Sequence, residues 1–124
     1  MTDGMVASRD TGGLFAAIDR QDAAAFVGYL TDAAVFRFGS APAVQGRDAV
    51  RAAVNGFFGT IAGCSHTVQK TISSGSTLVC EGEVTYSRHN GTEITLPFTD
   101  VFEFEGDLIA HYKIYMDIAP LYAG

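Results

Sequence analysis

The stretch that decides the fold is TLVCEGEVTYSRHNGTEITLPFTDVFEFE, residues 77–105, where two runs of alternating apolar and polar residues flank a short turn. Alternation with a period of two is typical of strands that bury one face. Between the runs, His89-Asn90-Gly91 suits a three-residue hairpin loop whose last residue, Gly91, takes the left-handed conformation. We therefore expect antiparallel strands at residues 77–88 and 93–105.

This loop also fixes which residues of the two strands oppose each other. The expected register collects the apolar residues on one face, and a register shifted by one residue would instead bury Glu81 and Glu83 at a large desolvation cost. The inner face is then apolar except for Asp100. The expected pairs are Tyr86 with Ile94, Val84 with Leu96, Gly82 with Phe98, Cys80 with Asp100, and Leu78 with Phe102.

The rest of the chain completes an α+β pattern. Residues 66–73 and 108–118 alternate as strands, so the second half is predicted to be an antiparallel meander. Apolar spacing in the first half predicts three helices: one from its N-cap Thr11 to about residue 20, a short one capped by Asp22, and one over residues 50–61 that ends near Gly59 or Gly63. A β-rich stretch at residues 35–38 and a Gly/Pro-containing connection at residues 39–46 precede the third helix. We expect a flexible N-terminus at residues 1–10 and one domain at residues 11–124.

Composition narrows the possible partners. The 124 residues carry a formal net charge of −6, which argues against binding a phosphate backbone, because that binding needs a basic surface. No apolar run reaches the length of a membrane span, and the opening residues lack the basic start and apolar stretch of a signal peptide. We therefore expect no nucleic acid partner, no membrane contact and a cytoplasmic location.

Several local stretches match one known group of proteins. They are Asp19-Arg20-Gln21-Asp22, the segment at residues 30–36, Gly46-Arg47-Asp48-Ala49-Val50, the segment at residues 99–104, and Ile114-Tyr115-Met116-Asp117. In this order the chain resembles the SnoaL-like branch of the nuclear transport factor 2-like superfamily. The resemblance implies a cone-shaped α+β barrel in which three N-terminal helices pack on a curved, mostly antiparallel sheet around a mostly apolar pocket.

The resemblance says less about a reaction, because similar proteins include ketosteroid isomerases, polyketide cyclases, limonene-epoxide hydrolases, dehydratases and many small proteins without known activity. Asp100 is similar in position to the protonated aspartic acid in the oxyanion hole of ketosteroid isomerases. The general base of those isomerases falls on Phe38 and their oxyanion tyrosine on Leu14, so that isomerisation is not expected. The Arg–Asp pair of the epoxide hydrolases has no clean match either.

Asp100 is the sharpest candidate on the residues alone, since it interrupts an otherwise apolar face. In an apolar pocket its charged form is disfavoured, so its pKa should rise and it could donate a proton or hydrogen bond to a developing oxyanion. The structural alternative is an acid satisfied by backbone amides or by an ion pair. Asp117 poses the same choice, and there a carboxylate that bonds backbone at the end of the last strand is favoured over a second catalytic acid.

The register of the last strand decides what surrounds Asp100. A two-residue turn at Gly106-Asp107 pairs Glu105 with Leu108, and continuing it sets Lys113 against Asp100, His111 against Phe102 and Tyr115 against Phe98. That register adds His111, Lys113 and Tyr115 to Asp100 as a catalytic set, in which Lys113 could also hold Asp100 ionised as a base. The alternative register, which hydrophobicity alone would favour, turns Ala110, Tyr112, Ile114 and Met116 inward and sends His111, Lys113 and Tyr115 outside. The first is preferred because family members place an aromatic residue at the Tyr115 position in the cavity.

An apolar outer stripe of Tyr112, Ile114 and Val101 would follow from the preferred register, and it predicts a homodimer through the outer face of the sheet. Within the pocket, aromatic side chains are expected to bind a small hydrophobic molecule. The predicted substrate-binding residues are Phe38, Phe57, Tyr86, Phe98 and Phe102.

Other reactive residues point to no further site. Cys64 and Cys80 are interpreted as buried small hydrophobes, and His66, His89 and His111 lack the spacing of metal ligands, so no metal and no cofactor are expected. The functional hypothesis is a cofactor-free isomerase, cyclase or dehydratase that acts on a small oxygenated hydrophobic molecule by acid–base catalysis. The alternative is a non-catalytic binding protein or dimeric accessory module.

Overall fold

The computed structural model describes residues 10–123, so the N-terminus predicted to be flexible lies, except for Asp10, outside the described residues. Helices and strands alternate in the first half of the chain, and four long strands follow. The elements are α1 (Thr11–Asp19), α2 (Ala23–Val27), β1 (Leu30–Phe38), β2 (Val44–Gln45), α3 (Arg47–Gly59), β3 (Gly63–Ser74), β4 (Thr77–Ser87), β5 (Glu93–Glu105), β6 (Leu108–Tyr115) and α4 (Ala119–Tyr122). The α+β fold class is confirmed.

Side-chain caps begin the first two helices. Asp10 accepts a hydrogen bond from the backbone N–H of Gly13 at 2.8 Å, so Asp10 is the N-cap of α1 and the prediction of Thr11 was wrong by one residue. Asp22 accepts from the N–H of Ala25 at 3.0 Å, which confirms the cap of α2. The helix α3 ends at Gly59 as expected and buries Val50, Val54 and Phe58. The short helix α4 was not predicted.

The strands form one curved, unclosed six-stranded sheet in the order β2-β1-β6-β5-β4-β3. Neighbouring strands are antiparallel except β1 and β6, which run parallel. The strand β1 begins at Leu30, earlier than the β-rich stretch predicted at residues 35–38. The connection predicted at residues 39–46 contains the short strand β2. Helices α1 to α3 cover one face, where the apolar core lies.

The β4–β5 hairpin has the expected register in every pair, from Tyr86 opposite Ile94 to Leu78 opposite Phe102. Gly91 has a φ of 88°, the left-handed conformation that the loop requires. Cys80 and Asp100 therefore sit side by side on the inner face, as predicted.

The β5–β6 hairpin changes register partway along. Glu105 pairs with Leu108 and Phe104 with Ile109, as the two-residue turn requires, but Glu103 then pairs with His111. Ala110 is the extra residue of a β-bulge, and beyond a bulge the following side chains of that strand point to the opposite face. Asp100 consequently opposes Ile114 and not Lys113, so the preferred register was wrong beyond Ile109.

The outer face differs accordingly. Tyr112 is buried in the core and Ile114 is half-buried on the inner face, so the predicted outer stripe of Tyr112, Ile114 and Val101 does not form. Tyr115 instead stands on the outer face with 57% of its surface exposed. Among the helices of residues 10–123, none has both the length and the apolar character needed to cross a membrane.

Candidate functional site

A cavity of about 550 Å³ lies between the inner face of the sheet, helix α3 and the chain that follows β6. This volume is in the range of sites that enclose a small organic molecule. Its walls are mainly apolar and aromatic, and few polar side chains reach it. Those few are Ser40, Cys64, His66, Tyr86, Asp100, Tyr112, Asp117 and Tyr122.

Aromatic rings form much of the wall. Phe38 packs on Phe57 with ring centroids 5.0 Å apart, and Phe57 meets Tyr86 edge-on at 5.7 Å. These three and Phe98 line the cavity, as the sequence predicted. Phe102 does not, because its ring lies edge-on against Tyr112 at 4.7 Å and is fully buried in the core.

The segment after β6 forms part of the mouth. Arg88, the residue that follows β4, holds this segment in place, since its guanidinium donates to the carbonyl oxygens of Leu121 and Pro120, each at 2.9 Å. Asp117 lines this mouth, and its carboxylate accepts from the N–H of Ala119 at 3.1 Å. The favoured interpretation of Asp117, a carboxylate that bonds backbone, matches this contact.

Asp100 lies on the cavity wall with 2% of its surface exposed. The hydroxyl of Tyr112 donates to its Oδ2 at 3.3 Å, while Oδ1 is the one buried side-chain oxygen or nitrogen among residues 10–123 that has no hydrogen-bond partner. Burial raises the pKa of Asp100 from 3.8 to about 8, and the Tyr112 hydrogen bond opposes this only in part. A carboxylic acid that is mostly neutral at pH 7 can donate a hydrogen bond or a proton.

The three other residues of the predicted catalytic set lie elsewhere. His111, Lys113 and Tyr115 are exposed on the outer face of the sheet, where they line a smaller depression of about 190 Å³ with Arg37. The bulge at Ala110 explains this, because it turns Ile114 and Tyr112 inward and leaves His111, Lys113 and Tyr115 exposed to water. Their predicted place in the pocket, and the idea that Lys113 holds Asp100 ionised, were therefore wrong.

Sequence reasoning missed a polar cluster at the other side of the cavity. Nδ1 of His66 lies 2.6 Å from Oδ1 of Asp19, and the backbone N–H of His66 donates to Oδ2 of the same carboxylate at 3.0 Å. The Cys64 thiol donates to the carbonyl oxygen of Ile18 at 3.6 Å and lies 3.9 Å from Asp19 Oδ1. Asp19 ends α1 and the other two are on β3, so only the packing of that helix on the strand brings them together.

The protonation states within this cluster follow from burial. Burial lowers the pKa of His66 below its ordinary 6.5, although Asp19 opposes this through its hydrogen bond and its charge. Burial, assisted by the charge of Asp19, raises the pKa of Cys64 to about 12. At neutral pH the imidazole is therefore neutral and the thiol protonated. Cys80 is fully buried as expected, whereas Cys64 is half-buried and lines the cavity.

Asp19, Cys64 and His66 offer one ligand atom each within 4.8 Å of one another. Ligand atoms held about 2.0–2.3 Å from a tetrahedral ion lie more than about 3 Å apart, so the 2.6 Å contact of His66 with Asp19 would have to open first. The three side chains satisfy one another as a hydrogen-bonded group that requires no ion. Their arrangement fits an Asp-oriented imidazole better than a metal site.

Comparison with known proteins identifies the family. The sequence family model of the SnoaL-like domain matches residues 12–112 of this chain. A structure of an NTF2-like protein of unknown function from Burkholderia pseudomallei superposes with a TM-score of 0.84 at 20% identity and covers 96% of this chain and 95% of that one. No curated protein is significantly similar in sequence.

Two further similar structures are of proteins named for an activity. A putative SnoaL-like polyketide cyclase from Jannaschia has a TM-score of 0.77 at 14% identity, with 93% of this chain and 90% of that one covered. An epoxide hydrolase from M. tuberculosis that is similar to limonene-epoxide hydrolase has a TM-score of 0.79 at 13% identity, with 96% and 89% covered. At these identities the likeness shows the shared cone-shaped fold. With the family model matching most of its length, the chain belongs to the SnoaL-like domain family.

Proposed function

We propose that this protein is a cofactor-free acid–base catalyst that acts on a small, hydrophobic, oxygen-bearing molecule, with Asp100 as the acid. The reaction class is that of an isomerase, cyclase or dehydratase, in which a proton moves to an oxygen while another leaves carbon. Proteins with the same fold include a putative polyketide cyclase and an epoxide hydrolase.

One observation carries the proposal: a buried carboxyl group on the wall of an apolar cavity keeps one oxygen without a partner. A buried unpaired polar atom costs roughly 1–3 kcal/mol, so a fold tolerates it most readily where the atom is used. Because the Asp100 carboxyl is mostly protonated near pH 7, it can hydrogen-bond a carbonyl oxygen and protonate the enolate that forms there.

Exchange of the α-protons of 2-tetralone in D₂O, followed by proton NMR, tests this chemistry. The ketone is planar, apolar and enolisable, and exchange requires only that an enol forms and returns. We expect the wild-type protein to accelerate exchange and Asp100→Asn to lower the rate by about 100-fold, within the usual range for one acid–base group.

Glu105→Gln is the matched control, because it removes a carboxylate from the same strand at an exposed position. It should leave the rate unchanged. Equal rates in wild type and Asp100→Asn would remove Asp100 from the mechanism. A protein that is stabilised to the same degree by 2-naphthol in both forms, with no exchange in either, would be a binding module.

A further inference from the structure

The acid at Asp100 needs a partner that removes a proton from carbon, and none of the positions expected to supply one offers a basic side chain to the cavity. Phe38, the position that the resemblance matches to the base of ketosteroid isomerases, lines the cavity but has no basic group, and His111 and Lys113 lie on the outer face. Among the described residues that line the cavity, His66 is the one whose side chain is neutral and unprotonated on one nitrogen at neutral pH.

We propose that His66, oriented by Asp19, is the general base that works with the Asp100 acid in this cavity. The inference rests on the proposed function and names its second catalytic residue. Asp19 does not meet the substrate and acts as a positioning residue.

The contacts of His66 define the role of each ring nitrogen. Nδ1 donates to Asp19 Oδ1 at 2.6 Å, which leaves the lone pair on Nε2. No described residue hydrogen-bonds Nε2, and the imidazole lines the cavity, so Nε2 is the ring nitrogen left for a substrate. The side chain is 10% exposed. A base needs this arrangement: one nitrogen anchored by a carboxylate and the other open to the substrate.

Aromatic contacts hold the ring and connect it to the acid. Phe15 and Phe98 pack on the imidazole with ring centroids 5.1 and 5.2 Å away. Phe98 stands two residues before Asp100 on the same buried face of β5, so the residue that packs on the base is a near neighbour of the acid along the strand. A ketone that lies over Phe98 can receive a hydrogen bond of about 3 Å from Asp100 on its oxygen and present a C–H bond to Nε2.

The proton balance of the step closes with these groups alone. Nε2 of His66 takes the proton from carbon, and the C–H electron pair becomes the C=C bond of the enol. The carbonyl oxygen takes the proton of Asp100, whose carboxylate then accepts from Tyr112, and the imidazolium is stabilised by Asp19. The reverse transfers, to the same carbon or another, give back a ketone with the proton exchanged or moved.

Other titratable side chains line the cavity besides Asp100 and His66. They are Cys64 of β3, Tyr86 of β4, Tyr112 of β6, and Asp117 and Tyr122 of the segment after β6. Burial raises the pKa of Tyr86 and Tyr112 above their ordinary value and that of Cys64 to about 12, so these three stay protonated. Asp117 bonds backbone at the mouth.

The experiment uses the same exchange reaction on His66→Ala, with imidazole added as a rescuing base. We expect the rate to fall at least about 100-fold and to recover with imidazole, in proportion to its unprotonated form. His89→Ala, an exposed histidine outside the cavity, is the matched control and should keep the wild-type rate. Thermal melting confirms that each variant is folded.

The pH profile tests the positioning residue. The wild-type rate should be bell-shaped: it rises with pH as His66 loses its proton below 6.5 and falls above about 8 as Asp100 ionises. Asp19→Asn removes the negative charge that raises the pKa of His66. The rate should therefore fall, and the acid limb of the profile should move to lower pH while the alkaline limb stays in place.

Failure of this inference and failure of the proposed function give different results. If Asp100→Asn loses activity while His66→Ala keeps it, the acid stands and the base is overturned. Loss in His66→Ala without rescue by imidazole, together with an unchanged pH profile in Asp19→Asn, would mean that His66 has a structural role only. Absence of exchange in the wild type would overturn both proposals.

Discussion

At the scale of single residues, Asp100 and Tyr112 determine each other's chemistry. Both are buried, and the phenol donates to the carboxyl at 3.3 Å. Burial raises the pKa of both groups, so the neutral acid and the neutral phenol coexist over the physiological range. The phenol is thus a fixed donor, and it favours the ionised form of Asp100 against the desolvation that opposes it.

Tyr112→Phe should therefore raise the pKa of Asp100 above about 8, because it removes the hydrogen bond that lowers this pKa. The carboxyl carbon shift of Asp100, followed by NMR against pH, measures it directly. Tyr86→Phe is the control, since its hydroxyl contacts Met116 Sδ at 3.8 Å and not the acid. A fall in the pKa of Asp100 in Tyr112→Phe would contradict the assigned donor.

The sequence correctly predicts Asp100 on the cavity wall but not the side chains that accompany it there, and the difference has a physical reason. An acid in an apolar alternation is visible in a local pattern, since period two fixes the face. Asp19 and His66 are 47 positions apart and meet through the packing of α1 on β3, which no spacing rule encodes. The only sequence signal for Asp19 is its place in the stretch Asp19-Arg20-Gln21-Asp22, which the chain shares with the family.

At the scale of elements, bulges determine where the sheet departs from its sequence pattern. The β4–β5 register was predictable because a three-residue loop with Gly91 in the left-handed conformation sets every later pair. On β6 the turn was also right, but the bulge at Ala110 moved the following side chains to the other face. The bulge is favoured because it buries Tyr112 and Ile114 and keeps Lys113 in water. This preference depends on the residues of both faces of β6, whereas the turn depends only on Gly106-Asp107.

A second bulge, between Val68 and Lys70, brings β3 close over β4 at Gly82. A Cβ at Gly82 would fall on the carbonyl oxygen of Thr67, which is backbone and cannot move aside. Gly82→Ala should therefore lower the free energy of unfolding by at least about 2 kcal/mol, as measured by guanidinium unfolding.

Gly56→Ala provides the opposite case for that experiment. Gly56 is exposed in α3 with open space around its Cβ position, so alanine should raise the free energy of unfolding by about 0.5–1 kcal/mol. If Gly82→Ala proved as harmless as Gly56→Ala, the close approach of β3 to β4 would be wrong.

At the scale of the whole molecule, the buried acid makes folding depend on pH. The ordinary pKa of an aspartic acid, 3.8, describes Asp100 in the unfolded chain, and about 8 describes it in the fold. Between these values the folded state holds a proton that the unfolded state has released. The free energy of unfolding contributed by Asp100 is therefore fully present below 3.8 and falls as pH rises through about 8, by at most about 1.4 kcal/mol per pH unit.

Asp100→Asn should remove this dependence, because an amide of the same shape does not titrate. From about pH 5 to about pH 8, the free energy of unfolding of the wild type should fall by several kcal/mol relative to that of the variant. Guanidinium unfolding across that range measures the difference, in which the opposite contribution of His66, whose pKa is lowered, cancels because both proteins contain it. Glu105→Gln should run parallel to the wild type. Parallel curves for Asp100→Asn would mean that the carboxyl is as well solvated in the fold as in the unfolded chain, and a solvated carboxyl would be ionised at neutral pH and unable to act as the acid.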